Sequence, residues 1–188
     1  ALDRNPIYPR AYLLRGIARF SQKEYASAVA DFRRGLELSP RDTGLQYNLS
    51  IALLQDKKYA AADSAATELL QIDPKNKDAY RVLAQSALER KDTITATRQV
   101  DTLLAQDSTY IPAYLLRAQI AAERKDYPTS IRAIDRVLAL DAGDASLYVN
   151  RAIMRYHLND LRGAMSDYTE ALRLEPRDRA ALNKRALL

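Results

Sequence analysis

The chain has 188 residues, 29 basic and 24 acidic side chains, a formal net charge of +5, and no cysteine or tryptophan. Without cysteine there are no disulfides, no thiol catalysis and no thiolate metal site; without a run of about 18 apolar residues there is no membrane-spanning helix. The excess positive charge sits at two ends, +3 in residues 9–42 and +3 in 179–188, while 43–76 carries −1 and the three stretches between balance. A phosphate-tracking surface needs a continuous basic stripe, so nucleic-acid binding is not expected.

Taken in chain order, the first element is predicted over 10–23, where Tyr12, Gly16, Ile17 and Phe20 recur at helical spacing. Polar Ser21-Gln22-Lys23-Glu24 interrupts it. A second stripe follows over 26–38, marked by Tyr25, Ala28, Val29, Phe32, Leu36 and Leu38, and Ser39-Pro40 closes it. The pair then recurs: 44–57 with 60–72, 78–91 with 94–106, 112–125 with 128–140, and 146–158 with 162–174. No strand-like alternation appears. Pro9 and Pro112 fall in first turns, where a missing donor costs nothing, and Asp126 is placed to cap the helix that Pro128 opens.

The recurrence has one period, 34 residues, with no insertion or deletion. At that spacing Leu36, Leu70, Leu104, Leu138 and Leu172 form one column, and Pro40, Pro74, Ser108, Ala142 and Pro176 another. Small residues fill two more: Gly16, Ser50, Ala84, Ala118, Ala152 and Ala186 on first helices, and Ala28, Ala62, Ala96, Ser130 and Ala164 on second helices. Residues without bulk let two helix axes come close. The units are 9–42, 43–76, 77–110, 111–144 and 145–178, read as a single array over 1–188. Residues 1–8 match the close of a preceding unit through Ala1-Leu2 and Pro6, and 179–188 match the start of a sixth, so a fragment of a longer array is expected. No compartment is assigned.

A 34-residue helix pair with these small, aromatic, alanine and proline columns resembles the tetratricopeptide repeat over essentially the whole chain. The resemblance implies an all-α fold, a right-handed superhelical solenoid of antiparallel helix pairs, and a binding scaffold with no enzymatic activity. The chain departs from the pattern at the turn between helices, where glycine is usual and the column reads Lys23, Lys57, Lys91, Lys125 and Asn159. If that position is left-handed, each lysine is strained by about 1 kcal/mol relative to glycine.

Chemistry is absent from the pattern. The lone histidine, His157, has no nucleophile or second histidine with it, five glycines form no phosphate-cradling spacing, and Asp141 and Asp144 sit where helix capping explains them. No catalytic, cofactor-binding or metal-binding residue is assigned. One polar column does stand where the core should be apolar. Arg15, Arg19 and Asp31 recur as Arg151, Arg155 and Asp167, whereas the second unit has Leu49, Leu53 and Ala65 and the third Leu83, Ala87 and Gln99. The fourth keeps Arg117 with Ala121 and Ala133. Aspartate appears only with the second arginine, so an ion pair across the hairpin is expected.

In stacked helix pairs the first helices line the concave side. The residues expected there are Leu13, Leu14, Ile17 and Phe20; Tyr47, Asn48, Ile51 and Leu54; Arg81, Val82, Gln85 and Leu88; Leu115, Leu116 and Gln119; and Val149, Asn150, Ile153 and Tyr156. This mainly aliphatic and aromatic strip is expected to bind a protein or peptide segment. Some family members grip a terminal carboxylate with lysine, arginine and asparagine; the equivalent positions here, Leu13, Ile17, Asn48, Asp78 and Val82, match at one of five, so that activity is not carried over. The alternatives are a structural segment that self-associates through the open ends of the array, or a regulatory module of a larger multidomain protein.

The third unit should be the least protected. Its second helix opens Thr93-Ile94-Thr95-Ala96-Thr97, Gln106 replaces an apolar residue and Ser108 the stop proline. Native-state hydrogen exchange, with end fraying compared in parallel, should find residues 94–106 exchanging faster than 162–174; equal protection contradicts the reading.

Overall fold

The computed structural model describes residues 8–187, and the predicted match of residues 1–7 to a preceding unit lies outside them. Every element described is helical. The first three units give α1 (Pro9–Ser21) with α2 (Tyr25–Leu38), α3 (Thr43–Gln55) with α4 (Tyr59–Ile72), and α5 (Lys77–Glu89) with α6 (Thr93–Gln106). The next two give α7 (Ile111–Glu123) with α8 (Tyr127–Leu140) and α9 (Ala145–His157) with α10 (Leu161–Leu174), and α11 (Arg179–Ala186) follows. These helices fall into two compact bodies, residues 1–106 and 107–188.

The first helices end one or two residues before their predicted limits, and the turn chemistry explains it. Lys23, Lys57, Lys91, Lys125 and Asn159 adopt left-handed φ of 63°, 58°, 63°, 58° and 60°, which a continuing helix cannot contain. In each turn the residue after the left-handed one donates its N–H back to a carbonyl of the last helical turn: Glu24 to Arg19 at 2.9 Å, Lys58 to Leu53 at 2.9 Å, Asp92 to Ala87 at 2.9 Å, Asp126 to Ala121 at 2.8 Å and Asp160 to Arg155 at 2.9 Å. The second helix then starts at once, often capped by an aspartate. Asp126 accepts from the Thr129 N–H at 3.1 Å and Asp160 from the Gly163 N–H at 2.9 Å. Hydrogen bonds from Thr95 and Thr129 hold the Asp92 and Asp126 carboxyls below the usual aspartate range.

Within each hairpin the small columns set the distance. A Cβ placed on Gly16 would lie 2.4 Å from the Phe32 ring, so α1 and α2 meet at a separation no side chain at this position permits. Ala28, Ala62, Ala96 and Ala164 are fully buried, and the Ser130 hydroxyl donates to the Ala118 carbonyl oxygen at 3.0 Å. The core of the first body runs through Phe32, Leu45, Leu53, Leu69 and Val82; among the described residues of the second body, apolar clusters form around Ile134 and Val137 and around Ala152, Tyr168 and Ala171.

The arginine–aspartate column forms the expected pairs. Arg15 clamps Asp31 from Nε at 3.1 and 3.0 Å with Nη2 also on Oδ1, and Arg19 Nη1 reaches Oδ2 at 2.8 Å. In the fifth unit Arg151 holds Asp167 through Nε at 3.0 Å and Nη2 at 2.7 Å, Arg155 adds 2.9 Å, and Arg151 Nη1 reaches back to Asp135 of α8 at 2.6 Å. Both aspartate side chains are 3% exposed. Burial works against the Arg151 charge, but the hydrogen bonds it donates to Asp167 and Asp135 more than offset it, and the guanidinium pKa stands above its ordinary value. Three periods earlier, Arg33, Leu49, Leu53 and Ala65 occupy the places of Asp135, Arg151, Arg155 and Asp167, and an open cleft of about 830 Å³ lies between α2 and α4 there.

Asp167→Ala should cost about 3 kcal/mol, because two largely buried guanidinium groups lose their counter-charge. Asp31→Ala should cost less, since Arg15 and Arg19 are more exposed (41% and 34%, against 15% and 25%). Adding Arg155→Leu to Asp167→Ala should recover part of the loss, as in the second unit; denaturant titration at constant m-value reads all three. Separately, Lys57→Gly should stabilise by about 0.5–1 kcal/mol by relieving the left-handed lysine, and Asn159→Gly should change little because asparagine tolerates that region.

Candidate partner-binding face

The first helices of each body present a common face, and its residues divide into three sets. Leu14, Ile17, Leu115, Gln119, Asn150 and Tyr156 are exposed; Leu13, Phe20, Tyr47, Asn48, Ile51, Arg81, Gln85 and Ile153 are half-buried. Leu54, Val82, Leu88, Leu116 and Val149 are buried, which corrects their expected place on an open surface. The physical reason is plain for Leu54 and Val82, which belong to the core cluster of the first body. There α3 packs against both α1 and α5, so consecutive first helices cover each other's flanks as well as their own partners.

The two bodies differ in what remains accessible. In the first, Leu14 (59% exposed) and Ile17 (43%) are the open apolar side chains, while Leu13, Phe20, Tyr47 and Ile51 lean on the core. Its polar groups are engaged: Arg81 Nη2 donates to the Tyr47 hydroxyl at 2.7 Å, Asn48 to the Gly44 carbonyl at 2.7 Å, and Gln85 to Glu89 at 3.1 Å.

In the second body a cavity of about 380 Å³ opens between α7 and α9, with Ile134 and Ser130 of α8 beneath it. Leu115, Ala118, Ala122, Leu147 and Met154 give apolar walls, and the Gln119 and Asn150 amides stand at its rim. Neither amide has a hydrogen-bond partner among the described residues. Asn150 shares a column with Asn48, and Gln119 with Gln85, so the same residue types are tied down in the first body and free in the second.

The cavity has a visible cause. Its column reads Phe20, Leu54, Leu88, Ala122 and Tyr156, and Leu54 and Leu88 are buried where Ala122 leaves space. The expected surface list omitted Ala118, Ala122, Ser130, Ile134, Leu147 and Met154. The signal was present, as the single alanine in a column of large side chains.

Tetratricopeptide repeat models match residues 118–188 and, with a second model, residues 19–85 and 53–120, which is more than half of the chain for the second alone. The chain belongs to the tetratricopeptide repeat family. Such repeats generally mediate protein–protein interaction and are generally non-enzymatic scaffolds. Solved structures of similar fold include pilF of Pseudomonas aeruginosa (16% identity, TM-score 0.79, covering 93% of this chain and 79% of that one). TTC0263 of Thermus thermophilus is 20% identical with TM-score 0.73, covering 96% and 98%. YrrB, a repeat protein described as having an unusual peptide-binding site, is 16% identical with TM-score 0.70, covering 98% and 95%. At these identities the likeness establishes the fold. No curated protein sequence matches the chain. No described helix of this tetratricopeptide repeat protein is long and apolar enough to cross a membrane.

Proposed function

We propose that the chain is an interaction scaffold that binds a peptide or protein segment on its first-helix face, with the slot between α7 and α9 as the principal contact. The observation that carries this is the slot itself, an apolar cavity of about 380 Å³ with two unpartnered amides at its edge. Burying one large aliphatic or aromatic side chain contributes about 1.5–3 kcal/mol. Amides carry both a donor and an acceptor, so Gln119 and Asn150 suit a peptide backbone laid across the rim. That one protein of this fold is described as having a peptide-binding site supports the same ligand class. Taken by itself, the first body presents Leu14 and Ile17 as exposed apolar side chains on its own first helix.

The test is selection of eight-residue peptides, blocked at both ends, on the intact chain, followed by measurement on Ala122→Phe. The phenyl ring should fill the slot, leave the fold in place, and weaken the selected peptides by about tenfold or more. Unchanged affinity in a folded Ala122→Phe variant contradicts the assignment. Sedimentation at two concentrations that shows self-association, with no peptide selected, favours the structural alternative instead.

A further inference from the structure

A second departure from the repeat, besides Ala122, lines the slot between α7 and α9. The small column on the second helices reads Ala28, Ala62, Ala96, Ser130 and Ala164, and its one hydroxyl falls in the α7/α8 hairpin, the same one that contains Ala122. Ser130 is 1% exposed and lies at the floor of the slot. Its Oγ donates to the Ala118 carbonyl oxygen at 3.0 Å, and its backbone N–H donates to the Asp126 carbonyl oxygen at 3.1 Å. Ala28, Ala62, Ala96 and Ala164 are fully buried with no hydroxyl to make such a bond, so a hairpin does not need one to close.

What the hydroxyl adds to the slot is an acceptor. A serine carries one O–H donor and two lone pairs, and here the proton is committed to Ala118. The oxygen therefore meets anything that enters as an acceptor only. No acidic or basic side chain is among the described residues that line the slot. An occupant must then be uncharged, since a charge buried there would find no counter-charge. A cavity of about 150 Å³ is enough to hold benzene, so the slot, at about 380 Å³, takes an aromatic ring with room beyond it. Met154 on one wall adds a thioether, which makes favourable contacts with the edges of aromatic rings.

We propose that the slot selects a tyrosine side chain of the partner, its ring between the apolar walls and its phenol O–H donating to Ser130 Oγ. The proposal rests on the reading of the slot as the partner contact and names the side chain that enters it. The donor of tyrosine lies at the far end of the ring from its Cβ, so a ring inserted between α7 and α9 carries it towards the floor. The indole N–H of tryptophan lies on the side of its ring instead, and serine and threonine are too short to fill the space. A phenol ordinarily ionises near pH 10, so at neutral pH it is uncharged and holds the proton that it donates. Phenylalanine covers the same walls but brings no donor to Ser130, which makes the hydroxyl the discriminating group.

In the end-blocked peptides selected on the intact chain, the slot residue is the one whose change to alanine removes the sensitivity to Ala122→Phe. The peptides are resynthesised with Tyr and with Phe at that position. The Tyr form should bind the wild-type chain about fivefold more tightly, as expected for one neutral hydrogen bond. Ser130→Ala installs the residue that the other four hairpins carry and so keeps the fold; it should remove the preference by weakening the Tyr form alone. A Tyr form no tighter than the Phe form, a preference that survives Ser130→Ala, or equal weakening of both forms by Ser130→Ala overturns the assignment. In each of these cases sensitivity to Ala122→Phe leaves the slot itself standing. Peptides indifferent to Ala122→Phe overturn the slot and its occupant together.

Discussion

Close approach of two helices within each hairpin is the constraint from which the rest follows. Gly16 meets the Phe32 ring directly, and Ala28, Ala62, Ala96 and Ala164 occupy the facing column with no exposed surface. A helix pair this thin cannot bury both of its flanks, so each unit depends on its neighbours for a core. The face left over on the first helices is consequently narrow, and a change of one side chain in a flanking column decides whether that face is sealed or open. At Leu54 and Leu88 it is sealed; at Ala122 a cavity of about 380 Å³ appears.

The opposite flank shows two solutions to one packing problem. In the fifth unit Arg151 links Asp135 of α8 to Asp167 of α10, and three periods earlier leucine and alanine stand in the same places. Ionic groups buried this deeply are retained only with complete pairing, and here each buried carboxylate, Asp31 and Asp167, accepts from two arginines. Leucine needs no partner but leaves the cleft between α2 and α4 unfilled. The two bodies thus combine the same fold with different surfaces: the first has its groove amides tied internally and an open cleft between second helices, the second has that cleft crossed by an ion pair and free amides beside an apolar slot.

Much of this was legible in the residues. The period, the helix pairs and the Arg–Asp pairing follow from columns that repeat without insertion, because in a repeat array each position meets the same environment several times. The left-handed turn lysines were legible only as an anomaly, since a lysine where glycine is usual shows the strain but not the compensating carbonyl bonds. The face was read less well. Leu54, Val82, Leu88, Leu116 and Val149 look identical in periodicity to exposed neighbours, and only the lateral packing of consecutive helices distinguishes them. Ala122 went unremarked because it departs from its column in size rather than in pattern. The cavity between α7 and α9 lies where the repeat is broken, at Ala122, and not in the columns that define the period.

The claim that the break at Ala122 makes the recognition slot is tested most directly by methyl-resolved NMR of the chain titrated with a selected peptide. The account predicts the largest shifts at Ile134, Leu147 and Met154, the methyl groups that line the slot, with Leu36, Leu49 and Leu53 beside the α2/α4 cleft unmoved. Shifts concentrated at Leu36, Leu49 and Leu53, with Ile134, Leu147 and Met154 static, would contradict it.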